Sequence, residues 1–256
     1  MDLVALPAFA DNYIWMLHDG ARAVVVDPGD AAPVLAALDR LQLSLTAILV
    51  THHHPDHVGG LQALRPRLQG QVHGPAREAI PPPFEPHQDG ERVDVLGTPF
   101  EVIDVPGHTA GHIAYVQRGA TPAPLLFCGD TLFSAGCGRL FEGTPAQMLD
   151  SLDRLAALPP DTRVCCAHEY TMSNLRFAAA VEPANEALAD HARHAQALRD
   201  AGQPTLPSTI ALERRINPFL RCREPAVIAA AQAQGAAGTD PVAVLAALRE
   251  WKNRFR

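Results

Sequence analysis

The sequence predicts an α/β domain followed by a small, all-helical domain. Over the first two-thirds of the chain, short apolar stretches rich in β-branched residues alternate with amphipathic helices. Strand patterns then disappear and helical patterns continue to the end. Four of the predicted strands each have a candidate metal ligand, a histidine or an aspartate, within three residues of their carboxyl end. We place the boundary where the strand patterns end, which gives domains 1–168 and 169–256.

Eight segments carry the strand pattern, and most of the segments between them are long enough for a helix or a crossover. These strands are, in chain order, Ile14–Leu17, Ala23–Val26, Thr46–Val50, Gln71–His73, Phe100–Val105, Ile113–Val116, Leu125–Cys128 and Arg163–Ala167.

Helices are predicted where apolar residues recur at helical spacing. Ala32–Leu41 shows this spacing, and another helix begins after Thr144, a good N-cap, with Pro145 in its first position. The proline-rich segment 74–91 lacks periodicity and is predicted to be a surface loop. The helices of the second domain are Asn174–Val181, Asn185–Ala201 and Pro241–Phe255.

Composition limits the classes of function. The net charge of −7 makes nucleic acid an unsuitable partner, because bulk binding to phosphates needs positive charge. No signal peptide and no apolar stretch of membrane-spanning length is present, so we expect a cytoplasmic protein with no membrane partner. The five cysteines are odd in number and show no C-x-x-C spacing, which fits a reducing compartment.

The densest chemical pattern is Thr51-His52-His53-His54-Pro55-Asp56-His57, directly after the predicted strand Thr46–Val50. It places four candidate ligands, His52, His54, Asp56 and His57, within six residues. Imidazole nitrogens and carboxylate oxygens are ligands that zinc, manganese and iron accept. The pattern therefore predicts a metal site in a loop at a strand end.

Three more strand ends carry the same residue types, namely His108, Asp130 and His168. If these strands lie side by side, their side chains converge at one edge of a sheet. Seven ligands exceed the four that one tetrahedral ion takes, whereas they suit two ions with a shared carboxylate. We expect two divalent ions, zinc before iron or manganese.

Two nearby residues have alternative interpretations. Asp27 ends a strand at the same predicted edge, where it either orients the His52–His57 loop or only forms a turn. His112 is either a residue that supports the ligands or a packing residue, and packing is the preferred interpretation. His53 lies between ligands and by alternation points away from them.

The motifs resemble the metallo-β-lactamase superfamily, and within it the glyoxalase II (hydroxyacylglutathione hydrolase) family. The ligand segments match the superfamily in order, and further segments resemble the glyoxalase II family across the whole chain. Those segments are Asp11-Asn12-Tyr13, Gly129–Phe133 with Gly136–Arg139, His168–Thr171 with Asn174-Leu175, Asn217–Arg221 and Arg249–Phe255.

The resemblance implies an αββα sandwich with two metal ions at one edge and a helical C-terminal domain. It assigns ligands to each ion and names His54, Asp56 and Asp130 as catalytic. By this resemblance His52, His54 and His108 bind the first ion, Asp56, His57 and His168 bind the second, and Asp130 bridges the two.

The implied reaction is hydrolysis of S-D-lactoylglutathione or a related 2-hydroxyacylglutathione, by a hydroxide shared between two ions, in a monomeric enzyme. The implied contacts to glutathione are Arg139, Phe141, His168, Tyr170, Arg249 and Lys252. Some family members carry Tyr where this chain has Phe141, so the hydroxyl is missing here.

Elementary chemistry agrees with a metal-dependent thioesterase. A thiol leaves readily as a thiolate, since its pKa is about 8.5, so no strong general acid is needed. The sequence has no Gly-x-Ser-x-Gly motif, and a metal site makes a serine nucleophile unnecessary. The alternatives are an iron-dependent persulfide dioxygenase of the same superfamily, whose branch lacks the helical tail, or another superfamily hydrolase.

Overall fold

The computed structural model describes residues 1–117 and 123–255, and the chain divides into two compact units. The first unit comprises Met1–Asp104 and Ala110–Gly129, and the second comprises Val105–Thr109 and Asp130–Arg256. This division follows contacts between Cα atoms, whereas the division at residue 168 follows the loss of strand patterns and stays a prediction.

The first unit contains a six-stranded sheet in which β1 to β6 lie side by side in chain order. Its first three strands are antiparallel and the later neighbours are parallel. Val26 pairs with Leu49, so the carboxyl ends of β3 and β4 are neighbours. The strands are β1 Asp2–Ala8, β2 Asn12–His18, β3 Arg22–Val26, β4 Ser44–Leu49, β5 Leu68–Pro75 and β6 Glu85–His87.

Three helices of the first unit follow β3 and β4: α1 Ala31–Leu41, α2 Pro55–Val58 and α3 Leu61–Leu64. Helix α1 begins where the Asp30 carboxylate accepts a hydrogen bond from the Ala32 backbone N–H. It buries Val34 and Leu38 in the core beneath the sheet. Helix α2 carries Asp56 and His57, so these two predicted ligands lie on a single helical turn.

Four more strands of the first unit form an antiparallel meander, β7 Arg92–Val95, β8 Thr98–Asp104, β9 Ile113–Gln117 and β10 Leu125–Phe127. Tyr115 is fully buried, and its hydroxyl donates to the Val50 carbonyl oxygen at 3.1 Å. This bond ties β9 to the chain that leads into the His-rich loop.

The second unit is mainly helical. It contains a short hairpin, a short strand pair and six helices, with α9 packed against α4 and α8. The strands are β11 Leu132–Phe133, β12 Gly136–Cys137, β13 Arg163–Cys165 and β14 Ser208–Thr209, and the helices are α4 Pro145–Ala156, α5 Thr171–Val181, α6 Glu186–Asp200, α7 Ile210–Ile216, α8 Pro225–Ala233 and α9 Pro241–Arg254.

The predicted helix starts are confirmed where a cap defines them. Thr144 is the N-cap of α4, Asn185 of α6 and Asp240 of α9. The prediction of a surface loop over 74–91 is wrong for part of the segment, because Glu85–His87 forms a strand that pairs with β5. The prediction also missed β1, α7 and α8, which are short or carry weak periodicity.

No helix among the described residues combines the length and the apolar character needed to cross a bilayer.

We predict that Thr144→Ala lowers the free energy of unfolding by about 1 kcal/mol. Thr144 is exposed, and its hydroxyl accepts from the Gln147 N–H while the Gln147 side chain accepts from the Thr144 N–H. Urea denaturation measures the change. Thr144→Ser keeps the cap and serves as the control, so an equal loss in both variants would contradict this explanation.

Candidate metal centre and adjoining cleft

The seven predicted ligands form two clusters, four residues in the first unit and three in the second. All seven are among the side chains that could hold a metal ion in groups of three or more. The first cluster is His52, His54, Asp56 and His57, and the second is His108, Asp130 and His168.

The first cluster follows β4, as predicted. His52 Nε2 lies 3.1 Å from His54 Nδ1, and His57 Nε2 lies 3.5 Å from Asp56 Oδ2. The rings of His52 and His57 are both buried, with centroids 4.0 Å apart. Four donor atoms are therefore confined to a small volume.

In the second cluster one carboxylate faces two histidines. Asp130 Oδ2 lies 3.4 Å from His108 Nε2, and Asp130 Oδ1 lies 3.4 Å from His168 Nε2. All three side chains are buried. A carboxylate that directs each oxygen to a different imidazole has the arrangement expected of a bridging ligand.

These distances fit metal coordination. Ligand atoms bound at about 2.0–2.1 Å to one tetrahedral ion lie about 3.3 Å from one another. The four donor pairs are separated by 3.1–3.5 Å. The donor set of imidazoles and carboxylates also suits zinc, iron or manganese. The residues therefore fit divalent ions in both chemistry and spacing.

Asp27 holds the first cluster in place, which decides between the two interpretations left open by the sequence. Its Oδ1 accepts from the Thr51 N–H at 2.7 Å, and its Oδ2 accepts from the Thr51 hydroxyl at 2.7 Å. The same Oδ2 lies 3.1 Å from His57 Nδ1. This contact fixes the ring of His57 and leaves Nε2 for a metal.

Other ligands are oriented in the same way. His108 Nδ1 lies 2.9 Å from the Arg139 carbonyl oxygen, so it donates there and directs Nε2 to Asp130. Asn12 donates through Nδ2 to Asp56 Oδ2 at 3.0 Å. Sequence analysis missed the role of Asn12, although it lies in the segment Asp11–Tyr13 that resembles the family.

The two remaining histidines of this region differ in role. His53 turns to Glu78, which accepts hydrogen bonds from the His53 backbone N–H at 3.0 Å and contacts its ring, as alternation predicted. His112 is fully buried and its ring stacks on His52 at 4.5 Å with planes 19° apart. His112 therefore packs, as preferred, but it packs on a ligand.

The second unit contains a cleft of about 470 Å³ that includes two of its ligands. Five of the six predicted glutathione contacts line it, and the sixth, His168, stacks on Tyr170 with centroids 4.6 Å apart. The lining residues include His108, Asp130, Arg139, Phe141, Tyr170, Arg249 and Lys252.

The cleft is cationic. Lys252 Nζ donates to the carbonyl and hydroxyl oxygens of Ser173, each at 3.1 Å. Burial, and after it repulsion from Arg249, Arg176 and Arg139, lowers the pKa of the Lys252 amine to about 8. Such mutual repulsion shows that the cations are close enough to act together on an anion.

Two of the predicted glutathione contacts, Arg249 and Phe141, differ in exposure: Arg249 is buried and already has protein partners, whereas Phe141 is exposed. Arg249 is buried, donates from Nη1 to the Cys137 carbonyl oxygen at 2.8 Å, and lies 5.2 Å above the Phe219 ring. Its guanidinium therefore supports the wall of the cleft. Phe141 is 62% exposed, with its ring 5.2 Å from that of His108.

Family models match nearly the whole chain. Residues 9–168 match the metallo-beta-lactamase superfamily, and residues 169–255 match the hydroxyacylglutathione hydrolase C-terminus. A protein from Albidiferax ferrireducens named hydroxyacylglutathione hydrolase is 64% identical over 255 residues, which covers all of both chains. The chain belongs to the hydroxyacylglutathione hydrolase family. The resemblance drawn from the motifs is thus confirmed, and so is the conclusion that the chain is an enzyme.

Solved structures confirm the metallo-β-lactamase fold with its helical C-terminal region. ETHE1 from Myxococcus xanthus superposes with a TM-score of 0.66 at 26% identity, covering all of both chains. TTHA1623 in a di-iron-bound form gives a TM-score of 0.58 at 29% identity, covering 86% of this chain and all of that one.

We predict that Asp27→Asn weakens metal binding about 10- to 100-fold, because an amide has one acceptor oxygen, whereas the carboxylate uses both oxygens on Thr51 and sets one of them against His57 Nδ1. Asn tolerates the left-handed backbone of this position (φ 51°), so the variant tests only the carboxylate. Chelator competition measures the affinity. The exposed Asp161→Asn is the control, and wild-type affinity in Asp27→Asn would show that Asp27 merely forms a turn.

Proposed function

We propose that the chain hydrolyses S-D-lactoylglutathione, and related 2-hydroxyacylglutathiones, to D-lactate or the corresponding acid and glutathione. This is the second step of methylglyoxal detoxification. The observation that carries the proposal is the cleft that combines the ligands His108 and Asp130 with the cations Arg139 and Lys252. A glutathione thioester needs both, a metal beside its carbonyl and positive charge for its peptide carboxylates.

The seven ligands, in this proposal, bind two divalent ions, zinc in preference to iron or manganese. His52, His54 and His108 hold the first, Asp56, His57 and His168 hold the second, and Asp130 is shared. When bound there, such ions would lower the pKa of a coordinated water to about 7, against about 15.7 in bulk, and would polarise the thioester carbonyl. The two-sided contact of Asp130 with His108 and His168 supports its shared role.

In this proposal the role of the protein side chains is to position the ions and the thioester. The thiolate leaves without a strong acid because its pKa is about 8.5. Asn12 holds the Asp56 carboxylate, and the His54 nitrogen faces that of His52. His54, Asp56 and Asp130 are therefore proposed as catalytic through the placement of the ions and the reacting carbonyl.

The glutathione moiety is proposed to bind along Arg139, Phe141, His168, Tyr170, Arg249 and Lys252. Lys252 is half-buried and positively charged at neutral pH, so a carboxylate beside it forms a charged hydrogen bond. The exposed ring of Phe141 offers apolar contact in place of a hydroxyl. The domain division at 168 is part of this proposal. The catalytic domain 1–168 also carries Arg139, Phe141 and His168, and the helical substrate-binding domain 169–256 carries Tyr170, Arg249 and Lys252.

A persulfide dioxygenase is the alternative. The full-length identity of 64% with a hydroxyacylglutathione hydrolase favours the thioesterase, as does the cationic cleft in the helical region. Oxygen uptake with glutathione persulfide, in place of thioester hydrolysis, would establish the alternative.

We also propose a monomeric, cytoplasmic enzyme without a nucleic-acid or membrane partner. The five cysteines are buried and unbridged, which fits a reducing compartment. The large exposed apolar residues, such as Phe9 and Leu41, are few among the described residues. Light scattering on the purified chain measures the mass, and a dimer would contradict this part.

We predict that Lys252→Ala raises KM for lactoylglutathione about tenfold or more and leaves kcat largely unchanged. A charged hydrogen bond contributes about 1.5–3 kcal/mol to binding and is made equally in the ground and transition states. Loss of thioester absorbance gives both constants. An unchanged KM would remove Lys252 from the substrate site.

The wild-type KM is also expected to rise between about pH 7 and 9. The pKa of Lys252 is about 8, so the amine is protonated below this pH and loses its charge above it. Lys252→Arg keeps its charge over this range and its KM is expected to stay flat. Parallel pH profiles of the two enzymes would contradict the assignment.

We predict that Asp130→Ala loses bound metal and hydrolytic activity together. Without this carboxylate, the imidazoles of His108 and His168 lose the group they both face. Elemental analysis and the thioester assay on one sample test this. Full metal occupancy in the variant would rule out the shared-ligand role.

A further inference from the structure

The hairpin Leu132–Cys137, formed by β11 and β12, lies directly after Asp130 in the chain. Its connection is only Ser134-Ala135, and Ala135 adopts the left-handed conformation (φ 54°). A two-stranded hairpin is marginally stable by itself, and this one pairs only two residues on each strand. Its conformation therefore has to be imposed by its surroundings.

Side chains near the end of α7 bind the backbone of this hairpin. Asn217 donates through Nδ2 to the carbonyl oxygens of Phe133 at 3.1 Å and Gly136 at 2.9 Å. Glu213 accepts from the Ala135 N–H at 2.8 Å. Both side chains are fully buried. Because water does not replace a lost hydrogen bond at a buried backbone group, loss of these contacts is costly.

Two further side chains complete the contact. Asn174 donates to the Ser134 carbonyl oxygen at 3.0 Å, and Arg249 donates to that of Cys137 at 2.8 Å. A Cβ at Gly136 would lie 2.5 Å from the Asn174 amide, so the hairpin fits closely against α5. Every one of these four side chains comes from the helical region after residue 168.

The other side of the hairpin leads to the ligands. The Gly138 N–H donates to the Thr131 carbonyl oxygen at 3.1 Å, and a Cβ at Gly138 would lie 1.9 Å from the Asp130 carbonyl oxygen. The next carbonyl oxygen, that of Arg139, is the one that orients His108 Nδ1. A shift of the hairpin would therefore move the group that fixes the His108 ring.

We propose that Glu213 and Asn217 are positioning residues: by holding the hairpin Leu132–Cys137 they fix the backbone of Asp130 and the ring of His108. Neither side chain lines the cleft. Their kinetic effect rests on the proposed function, whereas the effect on the hairpin does not. This role also explains the segment Asn217–Arg221, which the resemblance singled out and the cleft does not use.

Asn217→Asp tests the proposal with little change of shape. The Asn217 Oδ1 accepts from the Phe219 N–H at 3.1 Å, so its Nδ2 has to be the donor to the hairpin. A carboxylate would place an oxygen against two carbonyl oxygens and against Glu213, whose carboxylate lies 3.1 Å from Nδ2. The hairpin then loses the two hydrogen bonds from Asn217 without loss of side-chain volume.

The full-length, metal-loaded enzyme is used throughout. We expect amide hydrogen exchange of Leu132–Cys137 to quicken, metal affinity in chelator competition to fall about tenfold, and kcat/KM for lactoylglutathione to fall by a similar factor. Asn217→Ser, which removes the donor pair without adding charge, is the second variant if Asn217→Asp does not fold.

Asn185→Ala is the matched control. Asn185 also caps a helix of this region and donates to a backbone carbonyl oxygen, that of Arg215 at 2.9 Å, but it does not contact the hairpin. We expect it to lower stability while hairpin exchange and metal affinity keep wild-type values.

Unchanged exchange and affinity in a folded Asn217 variant, or an equal loss in Asn185→Ala, would overturn the proposal. A wild-type enzyme that does not hydrolyse the thioester would refute the function, while exchange and affinity would still decide the positioning role.

Discussion

Imidazole and carboxylate groups that face one another at 3.1–3.5 Å have to be held there by contacts to their other atoms. Where burial removes water as a partner, as at His57 and His108, a ligand needs a protein group that contacts its other atoms. Asp27 contacts His57, Asn12 donates a hydrogen bond to Asp56, and the Arg139 carbonyl oxygen accepts one from His108. The metal centre therefore depends less on the ligands alone than on the elements that carry these supporting groups.

The two units meet this requirement in different ways. In the first, Asp27 and Thr51 end neighbouring parallel strands whose pairing continues to Val26 and Leu49, so regular backbone hydrogen bonds place the support. In the second, the hairpin after Asp130 is too short to hold itself, and side chains of the helical region hold it. The helical region, for which we propose substrate binding, thus also supplies the side chains that hold this hairpin.

Sequence patterns predicted what depends on neighbouring residues. The seven ligands were predicted because their segments lie just beyond strand ends, and α4 was predicted because Thr144 and Pro145 mark its start. The role of Asp27 stayed open because the parallel pairing of β3 with β4 is not a local property. The hydrogen bond from Asn217 to Phe133 joins residues 84 positions apart, so no local pattern predicts it. Strands β11 and β12 have two residues each, which is too short to show a periodic pattern. The fold family and the ligand types were therefore accessible, whereas the supporting contacts were not.

The local charge of the cleft is positive although the net charge of the chain is negative. The chain carries a net charge of −7, yet Arg139, Arg176, Arg249 and Lys252 are close enough for the arginines to depress the pKa of the lysine. Arg249 already directs its guanidinium to a carbonyl oxygen and an aromatic ring. An anion that enters the cleft then interacts chiefly with Lys252 and the exposed Arg139. Because an anion relieves the repulsion among these cations, the cleft favours anions over neutral or cationic groups, which is the property that our proposed substrate requires.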